Sequence, residues 1–230
     1  IESLEKSIKT LYKYKDSRLT DVQKNTKKIA IFDYENNLKE LKEFPHHDYP
    51  LNQIGGIHLN TIEFLSDMHP VRNISEAEGF IKRVNLIKQV YEGTLKDLEK
   101  QADAGIYPPE FVYGHVIEQL NEFIGFTYEE HPLFTQFIKK VNDLDITNEE
   151  KASLEEAIKN SIDESVTPGF ILLRDFMIRT QKNANKNHGI WSQPNGDEYY
   201  KLRIRTYTTT DYSPEEIHQM GVDEVKRISL

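Results

Sequence analysis

With 230 residues and 38 acidic against 29 basic side chains, the chain is long enough to bury a sizeable core. Its formal charge of -9 opposes binding to phosphate backbones or anionic lipid. The absence of cysteine excludes disulfides and thiolate metal sites without choosing a compartment. No apolar run approaches the roughly 20 residues of a membrane span. The opening Ile1-Glu2-Ser3 is not a signal peptide, and without an initiator methionine it points to a processed or truncated product.

Capping boxes, a Ser or Thr followed three residues later by Glu or Gln, predict four helix starts: Thr20/Gln23, Ser75/Glu78, Thr147/Glu150 and Ser213/Glu216. The first opens a helix carrying Val22, Ile29, Phe32 and Leu38 that Pro45 halts. After a loop over 46–52, Gly55-Gly56 precedes a short helix with Ile57, Ile62, Phe64 and Leu65. From Ser75 the spacing of Phe80, Val84, Ile87, Tyr91, Leu95, Leu98 and Ala102 predicts one long helix with one buried stripe, stopped at Gly105. Pro109 to Phe126 reads as another helix, and His131-Pro132 introduces a shorter one. The segment 143–164, with eight acids and two lysines, reads as a helix showing water a negative face. Thr167-Pro168 then fits an N-cap and first helical residue, and Phe170 to Ile178 is apolar almost all round, as in a central helix.

The stretch from His188 to Gly221 stands out, with the chain's one tryptophan, a Pro194-Asn195-Gly196 turn and the pair Tyr199-Tyr200. Residues 201–207 alternate as a strand would. Tyr200, Ile204 and Tyr207 nevertheless keep helical spacing behind the acidic start Asp197-Glu198, so both readings stand with the helix favoured. The expected fold is all-α: a bundle-like array of long amphipathic helices with little or no β, in a single domain over 1–230, because no linker composition interrupts it.

Metal and nucleophile signatures are sparse. His115/Glu118 and Glu215/His218 have helical ligand spacing, Glu43/His46 is interrupted by Pro45, and His46-His47-Asp48 lies in a loop. There is no His-Glu dipeptide, no Gly-x-Ser-x-Gly elbow and no phosphate-cradling glycine loop, so neither a metal ligand set nor a catalytic residue is assigned. Trp191 and the tyrosines fit either edge-of-core packing or the wall of a ligand cleft.

Several blocks of sequence resemble a bacterial family known as domain of unknown function 885. Towards the C-terminus these are Gly189-x-Trp191, Pro194-x-Gly196-Asp197-x-Tyr199-Tyr200, Thr208-Thr209-Thr210-Asp211, Pro214-Glu215-Glu216-Ile217-His218-Gln219-x-Gly221 and Glu224-Val225. Earlier blocks are Tyr49-Pro50-Leu51-Asn52-Gln53-x-x-Gly56, His69-Pro70 and Ala104-Gly105-x-x-Pro108-Pro109. Several members are described as lipoproteins, and the family is placed with thermolysin-like zinc peptidases whose zinc motif, His-Glu-x-x-Pro-Gly-His-His, lies in a C-terminal half that this sequence lacks. The resemblance implies the helical N-terminal part of a longer zinc hydrolase. That part would offer a substrate-cleft wall from Trp191, Tyr199, Tyr200, Arg203 and His218, and hold no zinc itself. It further implies that the partner is the zinc-bearing half of the same polypeptide, that the substrate is peptide-like, and that a lipid anchor lies upstream in the cell envelope or periplasm. The alternative is a noncatalytic helical binding or scaffold domain of an envelope lipoprotein.

Overall fold

The computed structural model describes residues 1–229, and among these the chain is all-α, without a strand; one isolated bridge joins Pro109 to Asn185. The residues group into two compact units, one of Ile1–His47 with the residues from Gly189 on, the other of Asp48–His188.

The first unit begins with α1 (Glu2–Lys13), a helix the cap signals do not announce, because Ile1 offers no side-chain cap. It packs on α2 (Asp21–Glu43), where Thr20 and Gln23 form the expected capping box. Of the apolar residues named on α2, Val22 and Ile29 are exposed and Phe32 and Leu38 half-buried, and the one fully buried residue is Asn36. Residues 196–208 settle as helix α10 (Gly196–Thr208), which packs on α2, and α11 (Pro214–Ile228) follows from the Ser213/Glu216 capping box.

The second unit holds the larger core. Its helices are α3 (Ile57–Glu63), α4 (Ile74–Val84), α5 (Ile87–Asp103), α6 (Glu110–Gly125), α7 (Pro132–Asn142), α8 (Asn148–Ser161) and α9 (Thr167–Thr180). The Thr147/Glu150 box caps α8 as expected. Gly105, at φ +74°, closes α5 with the two reversed bonds of a Schellman motif, Gly105 N–H to Ala102 O and Ile106 N–H to Gln101 O. Asn52 gathers the turn before α3 by accepting from Ile54 and Gly55 N–H, so Gly55-Gly56 is a backbone corner.

Three expectations are corrected. The cap at 75 is Asn73, whose side chain accepts from Glu76 N–H, and Ser75 lies inside the helix. The single helix from there to Gly105 is broken at Asn85-Leu86. The break is hidden from periodicity because both residues stay near the helical region, leaving Phe80, Val84, Ile87 and Tyr91 on one buried stripe. Ser165 satisfies the groups the break frees, donating to Asn85 O at 3.0 Å and accepting from Lys88 N–H at 3.1 Å. Thr167 is not an N-cap: α8 runs into α9 through a π-helical turn, Ile162–Val166, in which Thr167 N–H reaches Ile162 O. That widened turn precedes Pro168, where a regular helix would lose a hydrogen bond and meet the proline ring.

α9 is the central element as expected, packing on α5 and α6 with Phe170, Leu173, Phe176 and Met177 buried. Gly169 allows this approach, since a Cβ there would lie 2.9 Å from Tyr91 Cδ2 and 3.4 Å from Lys88 Cα.

Candidate functional site

All the residues singled out as a cleft wall lie in the first unit, where the structure sorts them into two groups. Tyr199 is buried, its ring 5.5 Å from Phe44 and 4.9 Å from His47. His47 faces Pro194 O through Nε2 at 2.6 Å, which ties the Pro194-Asn195-Gly196 turn to the end of α2. The Tyr199 hydroxyl donates to Glu40 Oε1 at 3.3 Å, and Arg203 Nη1 donates to both Glu40 oxygens at 3.0 and 3.2 Å. Arg203 Nη2 donates to the Tyr207 hydroxyl at 2.8 Å, and the guanidinium stacks 4.9 Å from that ring. Burial works to lower the Arg203 pKa, but the neighbouring Tyr199, Glu40 and Tyr207 outweigh it and the net shift is upward. Tyr199 and Arg203 thus belong to one ion-paired, ring-packed cluster joining α10 to α2.

Trp191, Tyr200 and His218 stand apart at exposed positions, Trp191 at 69% and Tyr200 at 47%. The Trp191 ring folds back on Gly189, where an added Cβ would sit about 2 Å from its ring carbons, and the Ile190 carbonyl presses equally close on Gly196. Both glycines are therefore steric requirements of this corner. Asn195 takes the left-handed φ of +55° that the turn needs.

Sequence reading missed the feature beside these residues, an open cleft of about 540 Å³ framed by α2, α10 and the start of α11. Asn36 and Lys39 line it from α2, Glu198, Lys201 and Arg205 from α10, and Asp211 to Glu216 from the connection and cap. Its charges largely answer one another. Lys201 lies 2.6 Å from Glu198 and Arg205 3.1 Å from Asp211, while Glu216 accepts from Ser213 N–H at 2.7 Å. The hydrogen bond between Lys201 and Glu198 raises the lysine pKa and lowers the glutamate pKa. The buried Asn36 has an Nδ2 without a hydrogen-bond partner. A lone asparagine and a lysine on a polar helix face carry no motif, so this contribution of α2 emerges only from the fold.

The threonine run bridges α10 and α11 beside the cleft. Thr209 is left-handed at φ +56°, unfavourable for a β-branched residue, and is held by its N–H to Arg205 O at 2.9 Å while the flanking Thr208 and Thr210 hydroxyls lie 2.8 Å apart. Thr209→Gly is accordingly expected to raise stability by up to about 1 kcal/mol, seen as a higher urea midpoint with unchanged slope. A loss of stability would show that the threonine side chain holds the turn.

Among the described residues no three His, Asp or Glu side chains converge as a metal set. His115/Glu118 and Glu215/His218 remain exposed pairs on α6 and α11.

An all-helical array with a polar cleft against α10 and α11 is thus the class of structure at hand. The chain belongs to the family described as "Bacterial protein of unknown function (DUF885)", matched over residues 1–230. It is similar in fold to a solved structure described as "the putative lipoprotein from Colwellia psychrerythraea", with 23% identity, a TM-score of 0.88 and 99% of this chain covered. The match takes in 40% of that structure's chain. No curated protein matches. No helix among the described residues is long and apolar enough to cross a membrane.

Proposed function

We propose that these residues are the helical part of a zinc-dependent, peptidase-like hydrolase and supply one wall of its substrate cleft, while the zinc and its ligands come from the remainder of the polypeptide. The observation that carries this reading is the composition of the cleft: Asp211, Pro214, Glu215 and Glu216, which carry much of the family resemblance, line it together with α10. The exposed Trp191 and Tyr200 suit contact with an extended, peptide-like ligand, since each offers a broad apolar face and a polar tip. Tyr199 and Arg203 act in this reading as positioning residues, their polar groups directed to Glu40.

The experiment is expression of the complete reading frame, followed by metal analysis and peptide hydrolysis. About one zinc per chain with chelator-sensitive hydrolysis is expected, and Tyr200→Phe should then leave stability within about 1 kcal/mol. If that hydroxyl serves as a transition-state donor, the same change should lower turnover by up to about a hundredfold. A frame without a His-Glu zinc motif removes the basis of the reading. The 230-residue chain alone is expected to retain no zinc on dialysis and to cleave no peptide.

A second reading, a noncatalytic binding or scaffold domain of an envelope lipoprotein, draws on the description of the Colwellia protein. Both readings place the polypeptide in the cell envelope behind a lipidated cysteine upstream. A complete frame without a signal peptide would sink that placement.

A further inference from the structure

The first unit buries few apolar side chains: Phe44, Tyr199 and Leu202 form its cluster, with Ile190 packed against them. α11 adds none, since not one of its residues is buried. Ile217, Val225 and Ile228 nevertheless fall on one strip, within roughly 80° of arc at 100° per residue, with Val225 64% and Ile228 73% exposed; Met220, 44% exposed, lies beyond Glu224 on one side and Val222 beyond His218 on the other. Gly221 sits at the centre of that arc. It has no positive φ, and a Cβ there would meet nothing within 4 Å, so neither backbone conformation nor space within this chain calls for glycine. A mid-helix glycine is disfavoured about fivefold in population relative to alanine. A flat apolar face with a glycine at its centre suits the close approach of another helix.

We infer that this face of α11 is the docking surface for an apolar helical face of the same polypeptide, in the part that the Colwellia chain carries outside the matched 40%. The length of that relative supplies the partner, and an intramolecular partner is present at high effective concentration. The inference rests on the polypeptide being longer than these 230 residues, as the proposed function does, but it needs no zinc. A frame without a zinc motif would remove the hydrolase reading and leave this one standing.

Amide hydrogen exchange of α11, compared between the 230-residue chain and the complete polypeptide, tests it. Protection of residues 218–228 should rise at least tenfold in the complete polypeptide, and Gly221→Leu or Val225→Asp there should return it to the level of the short chain. In the short chain Gly221→Ala should instead slow exchange about fivefold by favouring the helix. The same substitution would then stiffen the isolated helix, whereas the bulkier one undocks it. Equal exchange in both polypeptides, or a frame that adds nothing to residues 1–230, overturns the inference. So does a concentration-dependent dimer of the short chain that Val225→Asp dissolves, since the face would then belong to a second copy.

Discussion

Phe170→Ala should lower the unfolding free energy by about 3–5 kcal/mol, the range for emptying the site of a fully enclosed aromatic ring. The Phe170 ring is fully buried on α9, stacked 4.9 Å from Phe123 with their planes 7° apart, and 5.6 Å edge-on from Tyr91. Removing it takes the stacked partner from Phe123 and the edge-on partner from Tyr91, beside Gly169, where an added Cβ would lie 2.9 Å from Tyr91 Cδ2. The cavity cannot collapse readily, because Gly169 leaves no room for even a Cβ against Tyr91 and the helices on either side are long. Phe170→Leu should lose markedly less, as most of the volume is refilled. Urea unfolding followed by near-ultraviolet circular dichroism measures both. A loss below about 1 kcal/mol for the alanine variant would show that the centre of the second unit is loosely packed.

The central position of α9 was legible because Phe170 to Met177 is apolar on nearly every face, a pattern only a deeply buried helix tolerates. Thr20, Thr147 and Ser213 were equally legible, since a capping box is purely local chemistry. What escaped depended on partners distant in sequence. The break at Asn85-Leu86 is sustained by Ser165, and the π-helical turn before Pro168 keeps the helix continuous where proline suggested a start. The same holds for the site. The turn at Pro194-Asn195-Gly196 and the exposure of Trp191 follow from local sequence, whereas Glu40 and Asn36 acquire their roles only when α2 meets α10.

Acid should destabilise the fold through His131, which is fully enclosed and caps α7 by accepting the Leu133 N–H on Nδ1 at 3.2 Å. That bond requires an unprotonated Nδ1, so the neutral ring carries its proton on Nε2, which has no hydrogen-bond partner and lies among Phe123 and Phe126. Burial in these apolar surroundings lowers its pKa to about 4, against roughly 6.5 in an unfolded chain. Above pH 6.5 both states are neutral and the full stability is present. As the pH falls from 6.5 towards 4 the unfolded chain takes up a proton that the folded chain refuses, so stability declines, by about 3 kcal/mol in all. His58 and His69, whose pKa values are also lowered chiefly by burial, act in the same direction, as do the lowered carboxylates Glu76 and Glu130. The comparison that isolates His131 is therefore His131→Asn, which keeps a side-chain acceptor at the N-cap and cannot titrate. The variant should be less stable at pH 7, having lost the ring contacts, yet between pH 7 and 4.5 it should lose about 2–3 kcal/mol less than the unaltered chain. Equal losses in both would mean that His131 is protonated in the folded state, with the cap to Leu133 broken before the fold is.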